Sequence, residues 1–373
     1  MATRSYKKRK FRKRMIKYIV ANLVFVSIFF VIFLKFADIS KEKIELYLPD
    51  EISKLGFLSE NEKICKNLPR DNRVLVLCLS RPKSYRRRVA IRVTWARNLN
   101  QLRRNNRTFN YTVVFLTARP KTPKEEAQLN LENQIHGDIV IFNQDDSYET
   151  LTVNVFGSFR WALKNCDDFV YMIKIDDDTF IDLDKWEQNL LSHFVTSEKT
   201  LASMRKSHIY GGYCRIPTPV LRKLSKWGVT FEEYPFEKYP GYCFGPMYFI
   251  SKALLETVVE QCPYHCTGQT ITNIYRASGC FWKFEDVLLG SCILHVRRNT
   301  TIIKYRKFED YLFLFRHPIV YLLYPNAIMA HPVRTDEVFL LTYSFTKSEQ
   351  LSELISYYTS EVSKIEGFSR SQR

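Results

Sequence analysis

The stretch Phe169 to Phe180 constrains this chain more than any other: an apolar run, Phe169, Val170, Tyr171, Met172, Ile173, Lys174 and Ile175, ends in three consecutive carboxylates, Asp176, Asp177 and Asp178. So short an apolar run is expected to form a buried strand that delivers a charged cluster to its own end. Side chains two apart on extended backbone share a side, so Asp176 and Asp178 converge while Asp177 is aimed elsewhere. Two carboxylates facing one point repel unless a cation lies between them, and hard divalent ions prefer oxygen ligands. A metal site is therefore the sharp expectation. A solvated acidic turn is the plain alternative.

The elements before this strand decide between the two. Arg73 to Leu79 (RVLVLCL), Tyr111 to Thr117 (YTVVFLT) and Ile139 to Phe142 (IVIF) each have the length and β-branched composition of a strand. Between them Ser84 to Arg97 is expected to be a helix with one basic face. The next helix has Thr122 as N-cap, Pro123 at its first position, Glu125 completing a capping box and Gly137 as its stop. Glu149 to about Asn165 is amphipathic through Leu151, Val155, Phe159 and Leu163. Alternating strands and helices predict an α/β fold of Rossmann type, with a mainly parallel sheet and helices on both faces; such sheets bind ligands at the carboxyl ends of their strands. The three aspartates sit at such an end, which favours the metal.

Downstream, helices are expected from Trp186 and over Ser251 to Gln261, and a strand over Tyr210 to Arg215. Pro217 to Pro246 is dense in aromatic residues, either as plain core or as a platform for sugar rings. Glu285 and Asp286 precede an apolar helix whose N-terminus favours negative charge, and capping alone would account for them.

The formal net charge of the 373 residues is +17. About half of it comes from Arg4, Lys7, Lys8, Arg9, Lys10, Arg12, Lys13, Arg14 and Lys17, directly before the apolar run Tyr18 to Leu34. This is the pattern of a membrane anchor with a cytoplasmic basic side, and it argues against a nucleic-acid partner. The expected organisation is a cytoplasmic tail over 1–17, a transmembrane signal-anchor helix over 18–36, a stem over 37–70, a lumenal body over 71–345 and a polar tail over 346–373. The sequons at Asn106, Asn110 and Asn299 agree with a lumenal body. So do the nine cysteines, which an oxidising lumen would mostly pair, leaving at least one over. Cys262 and Cys266, with His265 beside them, are expected to be in disulfides rather than at zinc, because no second ligand pair accompanies them.

Six ordered motifs carry a family resemblance: Arg88 to Trp95 (RVAIRVTW), Gly137 to Leu151 (GDIVIFNQDDSYETL), Lys174 to Phe180 (KIDDDTF), Tyr239 to Ser251 (YPGYCFGPMYFIS), Glu285 to Gly290 (EDVLLG) and Ile328 to Thr335 (IMAHPVRT). In these the chain resembles the β-1,3-galactosyltransferases and β-1,3-N-acetylglucosaminyltransferases, a family that includes the Fringe proteins, over roughly Arg73 to Tyr343. The resemblance implies a GT-A-like fold and a single-pass type II protein of the Golgi membrane. It implies inverting transfer of galactose or N-acetylglucosamine from a UDP-sugar to a glycoprotein or glycolipid acceptor in β-1,3 linkage. The cofactor it implies is Mn²⁺, with Mg²⁺ as the alternative. Asp176 and Asp178 then form the D-x-D metal site, Asp178 as direct ligand, and His331 completes the metal sphere. Asp286 is the implied general base, with Glu285 as a second acid; Arg88, Arg92, Asp146, Lys174 and Asp177 match positions near the nucleotide. Two departures stand out, Thr150 where the family has Asn and Met247 where it has Gly. Met247 is expected to fill space near the substrate cleft, which motivates an alternative: a catalytically silent lumenal member that binds glycans or a partner transferase.

Overall fold

The computed structural model describes residues 55–66, 72–97, 99, 108–147, 150–166, 168–195, 205–215, 217–223, 225–231, 234, 236–261, 283–296, 301–304 and 327–371. The anchor and basic tail lie outside the described residues, as do Asn106, Asn299, Cys262, His265 and Cys266. Among the described residues no helix is long and apolar enough to cross a membrane.

The elements run in chain order β1 (Phe57–Ser59), β2 (Arg73–Leu79), α1 (Tyr85–Val93), β3 (Asn110–Arg119), α2 (Pro123–His136), β4 (Ile139–Asp145), α3 (Leu151–Asn165), β5 (Phe169–Asp176), β6 (Phe180–Ile181) and α4 (Leu183–Val195). There follow β7 (Ile209–Arg215), β8 (Tyr242–Ser251), α5 (Lys252–Gln261), α6 (Glu285–His295), β9 (Thr301–Lys304), β10 (Met329–Ala330), α7 (Asp336–Lys347) and α8 (Leu351–Ser371). Eight strands form one sheet in the order β1-β4-β3-β2-β5-β8-β7-β9. The central four, β4-β3-β2-β5, are parallel, while β1 and β8 join them antiparallel. The chain steps outward from β2 to β4 and then returns to place β5 on the other side of β2. That reversal opens a crevice at the carboxyl ends of β2 and β5, the place where such sheets bind ligands. The three aspartates stand there.

Strand alternation divides the core. Val74, Val76, Val113, Phe115, Ile139, Ile141, Ile173 and Ile175 face one side, with Leu129 of α2, Trp186 and Leu190 of α4, and Phe339 of α7. Leu75, Leu77, Val114, Leu116, Val140 and Met172 face the other, with Val155 and Phe159 of α3, Leu254 of α5 and Leu289 of α6. Side chains of period two are sorted onto two faces, and both faces are covered. Helix α2 starts and stops where expected: Thr122 accepts from the Glu125 amide at 3.2 Å, and Gly137 takes φ 64°, a left-handed conformation that costs glycine little. The Glu125 carboxylate accepts from the amide of Lys121 rather than from that of Thr122.

Three boundaries differ from expectation. Residues 55–66, read as stem, join the body, since β1 pairs with β4 and Cys65 is disulfide-bonded to Cys166. A second disulfide, Cys214–Cys243, ties β7 to β8, and Cys78 is free and buried. The segment read as a polar tail carries a 21-residue helix, α8, which packs on α1, α2 and α7 and buries Leu354, Val362 and Ile365. Strand β8, which begins within the aromatic stretch Pro217 to Pro246 where no strand is expected, closes the far side of the crevice against β5.

Candidate active site

The carboxylate cluster forms because β5 stops one residue into the triplet. The Asp177 amide donates to Leu79 O at 3.0 Å, which holds the turn against the end of β2. The Asp177 carboxylate accepts from Ser80 Oγ at 2.8 Å, so it faces away from its two neighbours as the alternation requires. His331 arrives from 150 residues downstream through a two-stranded pairing in which Phe180 lies opposite Ala330 and Ile181 opposite Met329. The Val333 amide then donates to Asp178 O at 2.7 Å. Ligand atoms of Asp176, Asp178 and His331 lie within 4.8 Å of one another, and His331 Nε2 is 3.3 Å from Asp178 Oδ1. Two carboxylates and an imidazole suit a borderline-hard divalent cation.

A second carboxylate pair meets this cluster through Lys174. Its Nζ lies 2.7 Å from Asp176 Oδ1 and 2.9 Å from Glu285 Oε1, and it donates to Gly245 O. The Gly245 amide in turn donates to Asp286 Oδ2 at 2.9 Å, and Asp286 Oδ1 accepts from the Val287 amide in the first turn of α6. Gly245 leaves room for this approach: a Cβ there would stand 3.3 to 3.4 Å from the carboxylate oxygens of Glu285 and Asp286. Gly290 serves the same junction, since a Cβ would come within 2.6 Å of the Tyr242 side chain and hold α6 off β8.

The electrostatics follow from burial. For Lys174, burial opposes the charge, but Asp176 and Glu285 outweigh it and hold the amine protonated. Asp176 is raised to about 6 by burial, with Asp178 and Glu285 adding to the rise and Lys174 opposing it. Asp177 is also raised, by burial first. Burial works against Asp178 too, yet the hydrogen bond and charge of His331, with Arg87, hold it below its ordinary range. Asp286 is pushed up to about 8, by burial and then by the neighbouring charge of Glu285. Negative charge is thus crowded into a partly open crevice, where a cation or a transferable proton is favoured.

Other predicted residues lie elsewhere. Arg88 is fully buried, paired with Glu132 at 2.6 Å and bound to Ser80 Oγ, Arg81 O and Pro82 O. Arg92 pairs with Glu132 and Asp138, each at 2.7 Å. Both guanidiniums are thus occupied inside the fold: Arg88 supports the Ser80–Asp177 contact, and neither faces the crevice with free donors. Asp146 directly follows β4 at the same sheet edge, about 14 Å from β5 by three strand spacings. Thr150 turns its hydroxyl back onto Asp145 O and so caps the loop before α3. Asn110 opens β3, half-buried. Met247, opposite Ile175 on β8, is 1% exposed and belongs to the core cluster that underlies the end of β5.

Arg87 is a site residue that motif reading passed over. Its guanidinium donates to Val333 O and Arg334 O and lies 3.4 Å from Asp336, clamping the loop that carries His331. Its basic neighbours in sequence conceal it, and only the fold separates their roles.

The crevice at the sheet's switch point thus holds an acid–histidine cluster joined through Lys174 to a second carboxylate pair, an arrangement able to hold a cation and a proton side by side. The family model described as Galactosyltransferase matches residues 86–302, over half of the chain. The chain belongs to this family and is a glycosyltransferase. It is 26% identical over 241 residues to beta-1,3-galactosyltransferase 5 of Homo sapiens, covering 64% of this chain and 67% of that one. It is 29% identical over 249 residues to lactosylceramide 1,3-N-acetyl-beta-D-glucosaminyltransferase of Xenopus tropicalis, 65% and 59% of the two chains. To UDP-GalNAc:beta-1,3-N-acetylgalactosaminyltransferase 1 of Rattus norvegicus it is 27% identical over 281 residues, 71% and 72% of the two.

Proposed function

We propose that this protein transfers galactose or N-acetylglucosamine from a UDP-sugar to a hydroxyl of a glycoprotein or glycolipid glycan, with inversion and in β-1,3 linkage. The names of these three relatives, each a 1,3-transferase, support the linkage. The observation that carries the reading is the Lys174 bridge, which joins the Asp176 end of the cation cluster to Glu285 and, through Gly245, to Asp286. Asp176, Asp178 and His331 would hold Mn²⁺ or Mg²⁺, which neutralises the charge growing on a departing diphosphate. Asp286 takes the proton from the acceptor hydroxyl as it attacks the sugar from the side opposite the leaving group. Lys174 holds Asp176 and Glu285 in place, and the Gly245 amide aims one Asp286 oxygen.

The body acts in the Golgi lumen, held by the anchor at 18–36. The disulfides Cys65–Cys166 and Cys214–Cys243, found among the described residues, support an oxidising compartment. Met247 is buried beneath the sheet end rather than exposed in an open cleft, and active transfer is the reading we adopt over a silent glycan-binding member. The test is UDP binding by the full-length protein in detergent, with and without Mn²⁺, followed by a screen of UDP-sugars for turnover. Binding that requires Mn²⁺ and is lost in Asp178→Ala is expected; metal-independent binding would sink the proposal.

A further inference from the structure

The segment from Thr218 to Tyr239 forms a small braced unit of its own beside the crevice. Tyr239 N donates to Thr218 O at 2.8 Å and Val220 N to Glu237 O at 2.9 Å, which closes a short ribbon. Inside it, Arg222 donates to Val229 O, Thr230 O and Phe236 O and lies 3.8 Å from the centre of the Phe231 ring. A guanidinium spent on three carbonyls stiffens the loop, yet the loop leaves large apolar rings in water. Trp227 is 53% exposed, Phe231 52% and Phe236 47%. Exposed rings on a braced loop are costly unless something covers them.

Their position says what that is. The Trp227 ring centre lies 5.8 Å from that of Phe284, which directly precedes Glu285 and Asp286. Lys283 donates to Gly228 O at 3.1 Å and ties the Trp227 turn to the same segment. From Phe284 the rings continue through Tyr239 at 6.4 Å and Tyr242 at 6.3 Å to Phe244 at 5.8 Å. Burial raises the pKa of both Tyr239 and Tyr242; Asp286 adds to the rise at Tyr242 and, behind Tyr242 itself, at Tyr239. An aromatic wall therefore starts beside the proton-accepting carboxylate and ends at an exposed indole. Flat aromatic faces stack on the apolar faces of pyranose rings with little entropy to lose.

Resting on the proposed transfer reaction, we propose that Trp227 is the acceptor platform: it stacks on the sugar ring next to the one whose hydroxyl faces Asp286. The acceptor is thus a glycan of at least two sugars, read beyond its terminal residue. On this proposal a terminal ring alone would reach Asp286 without touching Trp227.

The test compares p-nitrophenyl β-galactoside with p-nitrophenyl β-lactoside as acceptors for the full-length protein in detergent with Mn²⁺ and whichever UDP-sugar it turns over. Trp227→Ala is expected to raise the KM for the lactoside about tenfold, the scale of one lost stacking contact, and to move the galactoside KM less than twofold. Trp227→Phe should recover most of the lactoside KM, and Leu221→Ala, an exposed residue of the same loop, should leave both acceptors as in wild type. Equal losses on the two acceptors, or none, would overturn the platform while leaving the transferase reading intact. Should wild type turn over no UDP-sugar, the transferase reading fails and saturation-transfer NMR with the lactoside judges the platform directly. Ring signals abolished by Trp227→Ala support it, and signals absent from wild type or unchanged in the variant overturn it.

Discussion

Replacing Lys174 by Met tests the joint between the two halves of the site. The Lys174 side chain is 2% exposed, and its amine sits between Asp176, whose side chain is 32% exposed, and Glu285, at 5%. Water can reach Asp176 and repay part of its loss, but not Glu285, which is left as a buried charge without its cation. Removing one partner of a buried pair costs about 3–5 kcal/mol, and the donor lost to Gly245 O adds about 1 kcal/mol. The total, about 4–6 kcal/mol, corresponds to a fall in Tm of roughly 10–20 °C for a body of this size. Methionine fills the volume of the lysine stem, so packing contributes little to the change. The assay is urea denaturation of Lys174→Met, Glu285→Gln and the double variant, read as midpoints at constant slope. In the double variant no charge is stranded at Glu285, so it is expected to recover at least about half of the loss, a coupling the double-mutant cycle measures. A single variant within about 1 kcal/mol of wild type, or a double variant no more stable than the single, would refute the reasoning.

The pH dependence and the clamp on the His331 loop supply the other tests. Asp286 must be ionised to accept a proton, so with its carboxyl near 8 the kcat/KM should climb through the neutral range to a plateau above about 8. Asp286→Asn should lower kcat by about 10²–10⁴ and abolish that limb, and a limb that survives would remove Asp286 from the reaction. Stability runs the opposite way. A carboxyl raised from 3.8 in the folded state binds its proton more tightly there, so its contribution is full below about 4 and is lost as pH rises through about 8. Denaturation midpoints across that range should show a decline in wild type that is smaller in Asp286→Asn. Arg87→Ala frees the carbonyls of Val333 and Arg334 and loosens the loop bearing His331. Mn²⁺ affinity, measured calorimetrically, should weaken about 10–100-fold with the fold retained, and an unchanged affinity would show that the clamp does not orient the imidazole.

The parallel core was legible because its information is local. Val74 to Leu79, Tyr111 to Thr117 and Ile173 to Asp176 each carry an apolar pattern complete within one strand, and Thr122, Pro123 and Gly137 mark both ends of α2 by their own backbone preferences. Strand β8 was not legible: Gly245 and Pro246 break its pattern, and it is a strand because β5 and β7 pair with it from both sides. Helix α8 hid for another reason. Its apolar residues Leu354, Tyr358, Val362 and Ile365 recur at helical spacing but are sparse among polar ones, and the stripe gains meaning only where α1 and α7 offer a surface.

At the site the division is similar. The sequence by itself determined that three carboxylates would stand at the end of a buried strand, that Asp177 would point away from Asp176 and Asp178, and that α6 would begin with Glu285 and Asp286. Those features depend on the period of a strand and on the dipole of a helix, which the chain carries wherever it goes. Only the tertiary structure decided which charges are available. Arg88 and Arg92 share one motif with the residues around them, yet Glu132 and Asp138 occupy both, whereas Arg87 beside them holds the His331 loop. Met247, a departure in the motif, became core because β8 sets it opposite Ile175 within the buried cluster. Charge is long-ranged and depends on its partners, so its role follows from what the fold brings within a few ångströms and seals from water.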